Sequence, residues 1–216
     1  MITKPLISIV IPTYNDCENL IRNIKFIKSQ EFKDFEIIVI NDCSIDQTKK
    51  YLDLLNDKQI SSLSLKTNKG PGHARNIGIK LSKGDWISFL DSDDSWNTKR
   101  LKIISDYLIK NDNLDLVCHN EFEVDKSNNI KKKLYYGPLD KINPYKDLLL
   151  NGNKFSTSAT IIKKKFLEEN KIFFNEERNF FSVEDYDFWL KCMKNMAKFQ
   201  FLNIFLGNYH IHENNI

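Results

Sequence analysis

The amino-acid sequence predicts an α/β protein with a doubly wound, mostly parallel sheet and helices on both faces. Three observations point there. Leu6 to Ile11, Phe35 to Ile40 and Trp86 to Leu90 are short, nearly unbroken apolar runs rich in β-branched residues, as expected of parallel strands covered on both faces. The first two are followed by segments whose apolar residues recur at helical spacing. The second and third end in acid, at Asp42 and at Asp91, Asp93 and Asp94, so two strands deliver carboxylates to one sheet edge. In open α/β sheets that edge, at the carboxyl ends of the strands, is where ligands bind.

Taken in order, Leu6 to Ile11 ends at Pro12 and gives way to the polar loop Thr13, Tyr14, Asn15. Asp16 is placed to cap a helix whose inward face holds Leu20, Ile21, Ile24, Phe26 and Ile27. After the strand Phe35 to Ile40, Ser44 or Asp46 starts a helix with Tyr51, Leu52, Leu54 and Leu55. Ile60 to Leu65 is a weaker third strand, which completes a β-α-β-α-β run. The Gly-rich loop Asn68 to Gly72 then opens a helix that reaches about Leu81. Arg75 stands where a dinucleotide fingerprint would carry its third glycine, and no P-loop pattern occurs, so both motifs are disfavoured. Lys69 and Arg75 beside a helix N-terminus suit an anionic nucleotide end, or a turn in which Arg75 pairs with a strand-end aspartate.

Beyond Asp94, the spacing predicts an amphipathic helix over Thr98 to Lys110, strands at Leu114 to Val124 and Leu134 to Tyr136, and a short helix at Asn143 to Leu150. A strand at Thr157 to Ile162 follows. Phe166 to Phe174 and Arg178 to Phe181 are aromatic enough to be core or the wall of a site. Ser182, Glu184 and Asp185 start an acid-rich helix, which either compensates its dipole or carries catalysis. Phe199 to Phe205 is a last strand, followed by His210 and His212, whose spacing by two puts both on one side of a strand where they could ligate a metal. His119, inside a strand, reads as structural.

Composition excludes several classes. A chain of 216 residues with 41% hydrophobic content supports one α/β domain with a real core. The net charge of +3, from 32 basic and 29 acidic residues, is no nucleic-acid signature. Four scattered cysteines without a C-x-x-C pair argue for reduced thiols in the cytosol. With no signal peptide and no apolar run near the ~18 residues of a spanning helix, the chain reads as soluble or attached to a membrane surface. The acids at 91, 93 and 94 repel one another unless a hard divalent cation, Mg²⁺ or Mn²⁺, sits among them. The competing reading is that they cap the following helix.

Five segments together carry a resemblance: I-S-I-V-I-P-T-Y-N (7 to 15), F-E-I-I-V-I-N-D-C-S-I-D-Q-T (35 to 48), N-K-G-P-G-H-A-R-N-I-G (68 to 78), F-L-D-S-D-D-S-W (89 to 96) and V-E-D-Y-D-F-W-L-K (183 to 191). In this order they resemble the family 2 glycosyltransferases, inverting enzymes of GT-A fold that transfer sugars from nucleotide-sugar donors. The resemblance implies that Pro12, Tyr14 and Asp42 hold the nucleobase and ribose, with Asp42 accepting from a base N–H, and that Lys69, Gly70 and Arg75 line the nucleotide pocket. It implies Asp91 at the ribose, Asp93 on a Mn²⁺ or Mg²⁺ ion that bridges the phosphates, His212 near that ion, and Asp185 as general base. A UDP-sugar donor and a glycan or lipid-linked acceptor follow, with residues 1–97 as the nucleotide-binding half and 98–216 as the acceptor half of one domain. Family habit places such a chain in the cytoplasm, at the inner face of the membrane or free, and an aromatic second half leaves room for a homodimer surface. A nucleotidyltransferase acting on a sugar phosphate and a non-catalytic nucleotide-sugar-binding module are the competing expectations.

Overall fold

The computed structural model describes residues 4–211. In chain order its elements are β1 (Ile7–Thr13), α1 (Cys17–Ser29), β2 (Phe35–Asn41), α2 (Thr48–Leu54), β3 (Ile60–Ser64), α3 (Pro71–Leu81), β4 (Trp86–Phe89) and β5 (Ser95–Trp96). There follow α4 (Arg100–Lys110), β6 (Leu116–Val124), β7 (Ile130–Leu134), α5 (Pro144–Asn151), β8 (Thr160–Lys163), α6 (Lys164–Asn170), α7 (Glu184–Lys194) and β9 (Phe199–His210). One sheet runs β3-β2-β1-β4-β8-β6-β9-β5, with β7 paired to β6. The first four strands are parallel. Beyond β4 the pairing is mixed, with β8 antiparallel to both β4 and β6 and β9 parallel to β6.

Strand alternation explains why the apolar runs are unbroken. Ile7, Ile9 and Ile11 of β1, with Ile37 and Val39 of β2, face Leu20, Ile24 and Ile27 of α1 and Leu101, Ile104 and Leu108 of α4. On the opposite face Val10, Ile87 and Phe89 pack with Phe174, Phe188, Trp189 and Cys192. The aromatic stretches before α7 divide between core and surface: Phe166 and Phe174 are buried, Phe174 stacking on Phe188 at 4.0 Å between centroids with Phe89 meeting both edge-on, whereas Phe173 is exposed and Phe181 lines a cavity. Helix α3 lies so close to β1 that a Cβ on Gly78 would stand 2.2 Å from a Val10 methyl carbon.

The structure differs from the periodicity in identifiable places. The return strand is Ile130–Leu134 instead of 134 to 136, because Asp125 accepts from the backbone of Ser127 and Asn129 and closes the turn early. Its exposed I-K-K-K-L run gives no alternation to find it by. Helix α4 starts at Arg100, since Asn97 Oδ1 takes the Lys99 N–H and caps the preceding turn. Asp16 makes no capping bond to the α1 backbone; its carboxylate accepts from the Asn19 side chain. The two-residue β5 and the seven-residue α6 are too short for a periodic signal. Strand β9 runs on to His210, two bulges after its first residues letting it follow β6 throughout.

Candidate active site

The carboxyl ends of β1, β2 and β4 form the wall of a cavity of about 370 Å³. Pro12, Tyr14, Asp42, Gly70, Arg75, Asp91 and Asp93 all line it, so most of the residues singled out in the sequence meet there. Asp42, buried just after β2, accepts from the Lys69 N–H (2.9 Å) with Oδ1 and from the Gly70 N–H (2.7 Å) with Oδ2. It thereby fastens the Gly-rich loop to the strand end. An ionised carboxylate has about four lone-pair sites, so Asp42 keeps acceptor capacity toward the cavity. Gly70 adopts φ +86°, and a Cβ there would meet the Phe181 ring at 2.4 Å, so both backbone and space demand glycine. Lys69 contributes its backbone to this arrangement; its exposed side chain is not part of the cavity lining.

Arg75 is the hinge of the site. Its buried guanidinium donates from Nη2 to Asp91 Oδ1 (2.6 Å) and from Nη1 to Glu184 Oε1 (2.8 Å), and it lies over the Phe174 ring. One side chain thus joins α3, the end of β4 and the first turn of α7. Burial works against its charge, but the two carboxylates outweigh burial and hold it firmly protonated. The pairing of Arg75 with a strand-end aspartate foreseen as a turn contact is present, with Glu184 as a second partner that the sequence did not suggest.

Asp91 also belongs to a second cavity, of about 220 Å³, shared with Asp94, Tyr136, Phe155, Ser156, Tyr209 and Asp185. Asp185 accepts from the Asn153 side-chain amide with Oδ2 (3.1 Å), and Oδ1 accepts from the Tyr186 N–H (2.6 Å). Burial raises its carboxyl above the ordinary aspartate range, with Arg75 acting in the opposite sense. Its two neighbours are engaged elsewhere: Glu184 with Arg75, and Asp187 with Lys191 at 2.6 Å. In the cavity wall, Asp94 is driven well upward by burial and by the carboxylates of Glu121, Asp93 and Asp91, and buried Glu121 is raised as well while accepting from the Tyr136 hydroxyl. Glu121, Tyr136 and Asn153 gave no signal in the sequence; each needs the tertiary fold to reach the site. His119 is structural as expected, fully buried against the Arg100 guanidinium with its Nε2 accepting at 2.8 Å.

A third cavity, of about 560 Å³, adjoins the first through Tyr14, Ser92 and Asp93 and reaches Arg22, Lys126 and His210. His212 lies outside the described residues. Among those described, no three His, Cys, Asp or Glu side chains converge as a protein-only metal cage. What Asp93 offers, a single carboxylate at the junction of two open cavities, fits a Mg²⁺ or Mn²⁺ ion that takes its remaining ligands from phosphates and water.

The glycosyl transferase family 2 model matches residues 8–171. The uncharacterized glycosyltransferase MJ1057 of Methanocaldococcus jannaschii is 30% identical over 219 residues, covering 96% of this chain and 71% of the relative. The amylovoran biosynthesis glycosyltransferase AmsB of Erwinia amylovora is 25% identical, with 94% and 69% covered. The crystal structure of S. aureus TarS 1-349 in complex with UDP-GlcNAc superposes with a TM-score of 0.80 at 25% identity, over 97% of this chain and 59% of that one. The mannosyltransferase PcManGT of Pyrobaculum calidifontis, in complex with GDP-Man and Mn²⁺, shares the fold with a TM-score of 0.68 at 14% identity. The sheet and helices are thus those of a GT-A glycosyltransferase, and the chain belongs to glycosyl transferase family 2.

Proposed function

We propose that this chain transfers a sugar, with inversion, from a UDP-sugar to a hydroxyl of a glycan or lipid-linked acceptor. The observation that supports this reading most is the pair of cavities with Asp91 in common, one walled by Pro12, Tyr14, Asp42, Gly70 and Arg75 and the other holding Asp185. TarS, crystallised with UDP-GlcNAc and with UDP, lends support to the donor class. In this reading residues 1–97 hold the nucleotide and 98–216 the acceptor.

The roles follow from chemistry. The Tyr14 ring and Pro12 provide apolar surface for a base, and Asp42 accepts the N3–H of uracil, which cytosine lacks. Asp91, held by Arg75, faces the ribose. Asp93 would hold a divalent ion, which when bound supplies Lewis-acid stabilisation to the departing diphosphate. Asp185, across the Asp91 wall, takes the proton of the acceptor hydroxyl as that oxygen attacks the anomeric carbon from the side opposite the nucleotide. One displacement inverts that carbon, and no covalent intermediate is required.

Calorimetric titration of UDP, CDP and GDP with and without Mn²⁺ tests the donor assignment. UDP binds tightest, and Asp93→Ala abolishes the metal-dependent part of its affinity while the fold persists. Tighter binding of CDP or GDP, or unchanged metal dependence in the variant, rejects it.

A further inference from the structure

Helix α1 packs on the sheet through Leu20, Ile24 and Ile27, all buried. Asn23 lies in the same stripe, three residues after Leu20 and four before Ile27, and is only 1% exposed. Burying an amide among apolar side chains is costly unless hydrogen bonds offset it, and an apolar residue in the same place would need none. Its Oδ1 is buried with no hydrogen-bond partner among the described residues. Its Nδ2 donates to the Ser92 carbonyl at 2.8 Å, a contact between residues 69 positions apart. The sequence has thus placed a polar group in a core stripe for one long-range bond.

The partner of that bond stands at the candidate site. The Ser92 carbonyl and the Asp93 N–H belong to one planar peptide unit. A hydrogen bond to this carbonyl fixes the plane from which the Asp93 backbone departs, and with it the direction of the Asp93 side chain. The neighbouring Arg22 meets the next peptide unit, its Nη2 standing 3.5 Å from the Asp93 carbonyl oxygen. Asp91 is held from elsewhere: its N–H donates to Ser158 Oγ (3.2 Å), and its Oδ1 accepts from Arg75 (2.6 Å). At the far end of the same excursion Gln30, the buried residue that ends α1, donates to the Asn97 carbonyl (2.9 Å).

We infer that Asn23 is a positioning residue for the donor site. Through the Ser92 peptide it sets the aim of the Asp93 carboxylate relative to Asp91, and so the affinity for the divalent ion that Asp93 would share with the diphosphate. This deepens the glycosyltransferase reading above and rests on its assignment of Asp93 to the ion. Leu has the branching and the number of side-chain heavy atoms of Asn, so Asn23→Leu fills the stripe and removes only the bond. A residue present for packing alone would tolerate that change without effect on the site.

Calorimetry of the intact chain tests this, with urea denaturation showing that each variant is folded under the assay conditions. The probes are uridine, UDP in EDTA, and Mn²⁺ titrated at fixed UDP. In Asn23→Leu and Asn23→Ala the apparent Kd for Mn²⁺ rises about tenfold or more, as for loss of an outer partner that orients a metal ligand. Uridine, which reaches the base and ribose wall alone, changes in affinity less than about twofold in both variants. Ile27→Val trims the same stripe without touching the loop and leaves the Mn²⁺ affinity as it was. In an Asp93→Ala background, adding Asn23→Leu changes UDP affinity less than about twofold, since the group it aims is gone. A wild-type chain whose UDP binding ignores Mn²⁺ refutes the metal assignment and the inference with it. If the wild type responds to Mn²⁺, the inference alone is overturned by a rise of less than about tenfold in Asn23→Leu. An equal loss for uridine, an equal effect of Ile27→Val, or a further loss in the Asp93→Ala background overturns it as well.

Discussion

Replacing Arg75 by Met keeps a side chain of similar reach and removes the guanidinium that lies over Phe174 and joins α3, β4 and α7. The guanidinium is only 6% exposed, and its carboxylate partners at 2.6 and 2.8 Å are 29% and 7% exposed. At an effective dielectric near 20, a charge pair about 4 Å apart is worth roughly 4 kcal/mol, which desolvation offsets in part. The larger consequence is that Glu184 remains buried and unpaired, and breaking a buried pair from one side costs about 3 to 5 kcal/mol. With a urea m-value of about 2 to 3 kcal/mol/M, the unfolding midpoint falls by roughly 1 to 2.5 M. Arg75→Lys loses less, since an ammonium keeps the charge but lacks the fork that spans both carboxylates. Arg75→Met/Glu184→Gln recovers part of the loss, because the buried charge is gone. Urea denaturation followed by far-UV circular dichroism measures all three. A loss under about 1 kcal/mol in Arg75→Met, or no recovery in the double variant, refutes the claim that this ion triad holds the site together.

Gly78→Ala forces a methyl group against Val10 and destabilises by about 1 to 3 kcal/mol in the same assay. Asp42→Asn has one neutral side-chain acceptor where the carboxylate has two charged ones, so both the Lys69 and Gly70 N–H groups lose a charge-assisted partner and one of them loses its acceptor; UDP affinity measured by calorimetry falls by about 1.5 to 3 kcal/mol. The base must be ionised to act, and burial raises the Asp185 carboxyl. Turnover at saturating donor therefore rises with pH, through an inflection above the ordinary aspartate value of about 3.9, and is lost below it.

The first half of the chain was legible because its signals are local. Buried parallel strands read as unbroken apolar runs, and the acids that follow them are fixed in space by the strand ends. Asp42, Asp91 and Asp93 converge for that reason. The second half of the chain was less legible because the cavity that holds Asp185 is assembled across the sheet. Glu121 reaches the Asp185 side through β6 and Asn153 through the loop after α5, and neither residue stands in a periodic pattern that marks it. Glu184 was read as a helix-start acid, the same role as Asp185; only the reach of Arg75 from α3 separates a structural carboxylate from its neighbour in the cavity.

The most direct test of the account is product analysis with UDP-GlcNAc, Mn²⁺ and either the wild-type chain or Asp185→Asn. The account predicts that UDP is released by the wild type, that the variant is slower by roughly 10² to 10⁴, and that its affinity for UDP is little changed. Pyrophosphate released from UTP and a sugar phosphate in place of UDP from the nucleotide sugar, or an Asp185→Asn variant turning over at the wild-type rate, would contradict it.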